Sequence, residues 1–465
     1  MPAPVIIAGG GLAGSEAAWQ LAERGVPVTL YEMRPVRTTP AHKTDQLAEL
    51  VCSNSLKSNA PGAASWLLKE ELRRGGSLLL RLAGENAVPG GAALAVDRER
   101  FSAAVTATLS KHPLIEIRRE ELAVIPAGAM TLIATGPLTS DALARQLQML
   151  TGSEHLAFYD SISPIVDAET LDLERIFRAS RYGKGGEDYL NCPMDEREYQ
   201  AFYEALRAAE SVETHAFEDA QYFEACLPIE ELARRGVDTL RFGPMRPVGL
   251  IDPRTGRQPY AVVQLRPENL RFSSYNLVGF QNHLKFPEQK RILRLIPGLE
   301  RAEFLRFGQI HRNTYINAPK ALAPDLSLRA APQVLVAGQL SGVEGYAECI
   351  ATGYLAGLVL AHRARGGAFT PPPRTTALGS LVHYITHADP ADYQPANISF
   401  DLLPPIDGLP RAVARNRRER RERQCERALA DLRAWLDMLG ASICGADEVL
   451  AADIATSATL LAPDS

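Results

Sequence analysis

The chain opens with both hydrophobic periods in quick succession. Val5-Ile6-Ile7-Ala8 is a continuous apolar run, Gly9-Gly10-Gly11-Leu12-Ala13-Gly14 follows at once, and from Ser15 to Arg24 the residues Ala17, Ala18, Leu21 and Ala22 share one face at helical spacing. Gly25 closes that helix, and Val26 to Tyr31 reads as a second strand ending at Glu32. Further on, the pattern predicts helices over 65–74, broken by Gly75-Gly76, and over 97–109, then a strand at 114–117 and a buried strand over 131–137 that ends in Gly136-Pro137. From about Tyr182 the texture changes to a helix over 196–209 and short, turn-separated strands reaching about Gly279, as an inserted α/β unit would show. A buried strand at 332–337 then leads through a glycine-rich turn into a helix reaching Arg363, and Thr376 to Thr386 is helical between two proline linkers. In the last helix, Leu429, Leu432, Trp435 and Leu436 form an apolar stripe behind a basic start.

The first stretch carries chemistry. Gly9, Gly11 and Gly14 stand at the G-x-G-x-x-G positions, with Gly10, Leu12 and Ala13 between them. Without side chains there, a pyrophosphate lies against backbone N–H groups at the positive end of the helix, and Glu32 at the second strand's end accepts from a ribose. Glu32 also repels a 2′-phosphate, which argues against NADPH in this site. Two later runs favour FAD over NAD: the strand ending at Gly136 resembles the A-T-G strand end of two-dinucleotide flavoproteins, and Gly338-Gln339-Leu340-Ser341-Gly342-Val343-Glu344-Gly345-Tyr346 resembles their returning strand and turn, whose following helix there places a partial positive charge beside a reduced flavin. In this reading Gly136, Gly338, Gln339, Gly342, Glu344 and Gly345 belong to the cofactor site, though Glu344 also suits a plain first-turn helix acid.

Composition narrows the class. With 465 residues, 46% hydrophobic and 23% charged, the chain has room for more than one packed core. A net charge of −5 means that any nucleic-acid surface must be local. Such a concentration exists: positions 411, 415, 417, 418, 420, 421, 423 and 427 are all Arg, although Glu419, Glu422 and Glu426 among them also suit a solvated helix end. Six cysteines at 52, 192, 226, 349, 425 and 444 show neither C-x-x-C pairing nor metal-ligand spacing with His, so no metal is expected and a reducing compartment is. No secretory pattern and no long apolar run stands out, and a cytoplasmic protein without a membrane span is expected.

Taken together, Gly9 to Glu32, Val51-Cys52-Ser53-Asn54-Ser55-Leu56-Lys57-Ser58, Tyr189-Leu190-Asn191-Cys192-Pro193-Met194, Phe223-Glu224-Ala225-Cys226-Leu227-Pro228, Leu240-Arg241-Phe242-Gly243-Pro244-Met245, Gly279-Phe280-Gln281, His311-Arg312-Asn313-Thr314 and the run from Gly338 to Tyr346 closely resemble the TrmFO family. These are folate- and FAD-dependent tRNA (uracil-5-)-methyltransferases, relatives of the longer GidA enzymes. The likeness spans residue 5 to about 436, with Ala225 where the family pattern has glycine.

The resemblance implies an α/β chain with a discontinuous, Rossmann-like FAD domain of glutathione-reductase type. Its parts are 1–180 and 310–440, the second carrying C-terminal helices that include the basic one, with an inserted α/β domain at 181–309 on the substrate and tRNA side and a tail at 441–465. It implies transfer of a methylene from 5,10-methylenetetrahydrofolate to C5 of a T-loop uridine at tRNA position 54, completed by reduced FAD and ultimately NAD(P)H. Because C5 of uracil is a poor nucleophile until a thiolate adds at C6, a cysteine is needed. Cys226 matches the family's position first, and Cys52 is the second thiol, though by residue type alone it also suits a small core site. His311 or His283 stacks on folate in this picture, while Arg417, Arg418, Arg420 and Arg421 hold tRNA phosphates around a flipped base. A GidA-like enzyme of the wobble uridine, a small-molecule flavin reductase and a non-catalytic tRNA-binding flavoprotein remain alternatives at this point. The oligomeric state is open.

Overall fold

The computed structural model describes residues 3–440 apart from 40, 153–155, 162, 184–185, 212–226, 270, 309 and 392, with backbone alone for 156–161, 310–314 and 411–412. β1 (Val5–Ala8) and β2 (Val28–Tyr31) pair in parallel, Val5 opposite Val28 and Ala8 opposite Tyr31, and α1 (Leu12–Ala22) crosses between them. Strands buried in a parallel sheet read as unbroken apolar runs, which is the pattern both show. The helix starts inside the glycine run, before its apolar face begins, because Gly11 takes the extended N-cap position and the next turn is already helical.

β3 (Ser55–Ser58), α2 (Ala64–Arg74) and β4 (Ala93–Val96) follow. β3, β4 and Ala87–Val88 form a small antiparallel sheet, in which β3 meets β4 only at Ser55–Ala95 and Ser58–Ala93, with an irregularity between. The helix Arg98–Lys111 is capped by Asp97, and β5 (Thr131–Ile133) then pairs with β1 on the side away from β2.

A second sheet holds six antiparallel strands in the order Phe177–Arg178, Leu190–Met194, Ala261–Pro267, Ser274–Leu277, Ile165–Asp167 and Phe304–Arg306. The chain enters and leaves it through the paired strands Leu156–Ser161 and Ile310–Tyr315. The division expected at residue 181 does not match this sheet, since Ile165–Asp167 and Phe177–Arg178 precede it and belong to the inserted unit. Strands that short carry no readable period. Helix Glu196–Arg207, with an Asp195–Glu198 capping box, buries Tyr199, Phe202, Tyr203 and Leu206 in this unit's own core.

β6 (Ala331–Val336) returns beside β5, and the first sheet reads Ser327–Leu328, β6, β5, β1, β2, Ile115–Arg118. α3 (Tyr346–Ala364) lies along α1. Their approach depends on missing side chains: a Cβ on Gly353 would stand 2.6 Å from Ala13 Cα, and one on Gly357 2.8 Å from Gln20 Cβ. The starts of both helices are thereby brought to the same end of the sheet. α4 (Ala377–His387) begins on the buried carboxyl group of Glu71 in α2, whose oxygens accept from the Ala377 and Leu378 amides at 2.7 and 2.8 Å. α5 (Arg417–Met438) lays Cys425, Ala428, Leu432, Trp435 and Leu436 on the main core, and Trp435 Nε1 donates to the Thr370 carbonyl at 2.9 Å.

Candidate functional site

The first turn is rigid behind and open in front. Gly9 has φ +103° and the place of its missing Cβ is 2.5 Å from the Ala134 carbonyl oxygen, while a Cβ on Gly14 would overlap the Gly9 carbonyl. A Cβ on Gly11 would meet nothing within 4 Å. α1 carries no side-chain cap, so the N–H groups of its first turn are left to a ligand in front of Gly11.

That turn lines a cleft with Gly9, Gly11, Leu12, Ala13, Glu32, Gly136, Gly338 and Gln339 on its walls, together with Val51, Tyr346 and Cys349. The glycine cradle and the uncapped helix fit a dinucleotide. Gly10 contributes through its backbone, its N–H donating to Glu32 Oε2 at 3.1 Å. Burial works against the Glu32 charge, but Arg34, donating from Nε at 2.9 Å and from Nη2 at 3.1 Å, holds that carboxyl below the usual range. His42, also on the cleft wall, is pushed down to about 4 by burial and Arg34, which makes it a neutral ring. Gln339 Nε2 donates to Glu344 Oε2 at 2.9 Å, Gly345 is the uncapped N-cap of α3, and Gly342 at φ +83° lies against Tyr393. Glu344 therefore acts on the turn itself.

Cys52 follows Val51 of the cleft wall, on a loop that Asn54 bonds to Arg266 and Pro267 of the second sheet. Its N–H and that of Ser53 donate to Tyr346 Oη at 2.9 and 3.1 Å, and Arg98 donates to the carbonyls of Leu50 and Cys52 at 2.9 and 3.2 Å. Arg98 also pairs with Glu268 at 2.5 Å, and Arg266 Nε donates to Asn54 Oδ1 at 2.8 Å. Burial opposes the charges of Arg98, Arg266 and Arg306, and Glu268 and the Cys52 thiolate are among the groups that favour them. Such a cationic surrounding is the kind that supports a thiolate. Cys349, by contrast, has its thiol pushed up by burial.

The same loop turns sharply at Lys57, whose φ of +63° costs a lysine of order 1–3 kcal/mol. Its Nζ donates to the Glu344 carbonyl at 3.2 Å, to Glu348 Oε1 at 3.1 Å and to Asn397 Oδ1, which ties the loop to the second glycine turn. Tyr346, Lys57, Glu348, Asn54 and the three arginines were not singled out by sequence reasoning. Lys57 and Asn54 sit in the run around Cys52 and Tyr346 closes the second glycine run, but Arg98, Arg266 and Arg306 carry no local signal.

Other expected residues fall elsewhere. Cys226 lies outside the described residues. His311 is in the strand Ile310–Tyr315, its backbone opposite Asp160. His283 is buried in the inserted unit, with Nδ1 2.9 Å from Glu230 Oε1 and its N–H donating to the same oxygen at 2.8 Å, away from the cleft walls. Of the α5 arginines, Arg418 pairs with Glu422 at 2.9 Å, Arg420 donates to the Ala414 carbonyl at 2.9 Å, Arg421 lies 5.0 Å over the Phe400 ring and Arg417 is exposed. Among the described residues, no group of three or more His, Cys, Asp or Glu could hold a metal, and no helix is long and apolar enough to cross a membrane.

Comparison with known proteins gives concordant results. The family described as glucose inhibited division protein A matches residues 4–368. A Solibacter usitatus protein named methylenetetrahydrofolate--tRNA-(uracil-5-)-methyltransferase TrmFO is 61% identical over 94% of this chain and 99% of its own length. A Desulforudis audaxviator protein of the same name is 55% identical over 95% of this chain and 100% of its own. Among solved structures, Aquifex aeolicus GidA superposes with a TM-score of 0.66 at 16% identity, covering 93% of this chain and 73% of the GidA chain, a likeness of fold.

Proposed function

Since the chain belongs to the TrmFO family, within the wider GidA group, we propose that it is a methylenetetrahydrofolate-dependent tRNA (uracil-5-)-methyltransferase that makes 5-methyluridine at position 54 of the T-loop. The observation that carries this reading is the placement of the Cys52 loop: a thiol-bearing segment, bound to Tyr346 and surrounded by arginine charge, borders a dinucleotide cleft through Val51.

FAD would be held by Gly9, Gly11, Leu12 and Ala13 at its pyrophosphate, by Glu32 at its ribose and by Gly136, Gly338, Gln339 and Gly345 toward its ring. When bound, it would supply the reducing equivalents, drawn from NAD(P)H, that a methylene needs to become a methyl. The chain does the rest. Cys226, assigned by its match to the family's position, adds as thiolate to C6 of the flipped uracil and makes C5 nucleophilic; it leaves again once the C5 proton has gone. Cys52 protects or releases the carbon on the cofactor side, its backbone fixed by Tyr346 and its charge supported by Arg98, Arg266 and Arg306. His311 is the better candidate to stack on folate, since His283 is engaged by Glu230. Arg417, Arg418, Arg420 and Arg421 meet tRNA phosphates. Folate and tRNA place this work in the cytoplasm.

The test is an unmodified tRNA transcript incubated with the protein, methylenetetrahydrofolate and NAD(P)H. Digestion and mass spectrometry should give 5-methyluridine in the T-loop, and a transcript that is bound but unchanged would overturn the assignment.

A further inference from the structure

We propose that Lys69 is the positioning residue of the Cys52 loop, a role that rests on the reading of Cys52 given above. Lys69 lies on α2, a full helix with neither Gly nor Pro inside it, and its side chain is completely buried. A lysine is rarely buried without a reason. Here the ammonium donates to three consecutive carbonyls of β3: Leu56 at 2.7 Å, Lys57 at 3.2 Å and Ser58 at 2.8 Å.

β3 needs such a partner because its ladder to β4 is interrupted. The strands register at Ser55–Ala95 and again at Ser58–Ala93, and the residues between them bulge out of the pairing. The Leu56, Lys57 and Ser58 carbonyls beside α2 accept from Lys69, whose three N–H groups match three acceptors, and Ser65 Oγ adds a second bond to the Ser58 carbonyl at 2.9 Å. The bulge is also what puts Lys57 at φ +63° and turns its side chain back onto the Glu344 carbonyl, Glu348 and Asn397. One buried cation thus stands in for a missing strand, and the irregularity it sustains joins the loop that bears Cys52 to the turn between β6 and α3. Further along the same loop, Tyr346 takes the Cys52 and Ser53 amides. Loss of the Lys69 anchor frees the bulge to flatten, and the loop then keeps Tyr346, Arg98 and Arg266 at its Cys52 end but no cation on the main chain of residues 56–58.

Lys69→Met preserves length and apolar bulk while removing all three donors. In the full-length, FAD-loaded enzyme it should leave flavin content and the KM for tRNA within about twofold of wild type and lower kcat at least about tenfold, as expected when a charged donor is withdrawn from buried acceptors. Hydrogen exchange read by mass spectrometry should speed up in peptides covering 52–58 and stay unchanged across α1 and β1, and iodoacetamide should alkylate Cys52 at a changed rate. Lys69→Gln, which keeps part of the donor set, should fall between the two. Wild-type loop protection and wild-type kcat in Lys69→Met would overturn the proposal. Insolubility of both variants would overturn it too, by showing that Lys69 serves the whole fold. If the unaltered enzyme made no 5-methyluridine, the functional reading would fail while exchange and alkylation still reported on the lysine.

Discussion

Gly11 and Gly14 differ in what an added methyl meets, and that difference separates cofactor binding from folding. Gly11 sits at φ −73° and ψ −167°, a conformation open to alanine, and its Cβ would touch no protein atom within 4 Å. Gly11→Ala should therefore leave the cofactor-free chain as stable as before, or firmer by roughly 0.4–1 kcal/mol through a less flexible unfolded state. The methyl does stand where a pyrophosphate must approach the first turn of α1, and forcing it into that contact costs about 1–3 kcal/mol, a five- to 150-fold weaker affinity for FAD. Gly14→Ala behaves in the opposite way. Its Cβ would overlap the carbonyl oxygen of Gly9 and stand 3.1 Å from the carbon, and Gly9 is itself wedged against Ala134 and Thr135. Neither side can yield, so the turn opens and the fold loses stability with or without ligand. Deflavinated protein melted by scanning fluorimetry gives the first quantity, and titration of FAD followed by flavin fluorescence gives the second. Wild-type FAD affinity in Gly11→Ala would refute the placement of the dinucleotide on this turn; a melting temperature lowered as far as that of Gly14→Ala would refute the geometry behind it.

Replacing Cys226 or Cys52 by Ala should abolish 5-methyluridine formation while FAD stays bound, and full activity in either variant would remove that thiol from the mechanism. Tyr346→Phe deletes the oxygen that takes the Cys52 and Ser53 amides, so kcat should fall with little change in KM, alongside a stability loss of about 1–3 kcal/mol measured by urea unfolding. α2 also carries a pH signature at Glu71. Burial lifts its carboxyl from 4.5 to about 8, so the folded chain holds the extra proton and stability falls as pH rises through that window. In urea midpoints taken across pH, Glu71→Gln should flatten it. Changing Arg417, Arg418, Arg420 and Arg421 together to Gln should lower the slope of log Kd for tRNA against log salt by up to about 3, from roughly 0.7–0.9 per phosphate contact, and an unchanged slope would exclude α5 from the interface.

The cofactor half of the molecule was legible because its signals are local. An apolar run, a glycine turn and a helical face predict β1 and α1, and the same grammar at Gly338 to Tyr346 predicts β6 and α3. What brings those two units together was not legible: Gly353 and Gly357 look like ordinary helix glycines until Ala13 and Ala17 of α1 are found against them. The inserted unit was harder, since its three-residue strands pair across more than a hundred positions and leave no period to read. Lys69 shows a further limit. A lysine in a predicted amphipathic helix reads as solvent-facing, and only the interrupted β3–β4 ladder reveals why this one is turned inward. The arginines around Cys52 likewise come from a helix start and from two strands of the other sheet, far apart in the chain.

Three of the holds on the Cys52 loop act on its main chain. Tyr346 takes amides at 52 and 53, Arg98 gives to carbonyls at 50 and 52, and Lys69 gives to carbonyls at 56, 57 and 58. Truncating the side chain at 52 leaves each of these bonds in place, whereas truncating Tyr346 or Lys69 removes bonds and leaves the thiol present. The two kinds of variant therefore divide chemistry from geometry. A thiol that acts covalently must show a complete loss when it is removed and a graded loss when only its scaffold is loosened, since a loosened loop still samples the productive position part of the time. Equal losses from Cys52→Ala and Lys69→Met would mean that the position of the loop, rather than the sulfur it carries, is what the reaction requires.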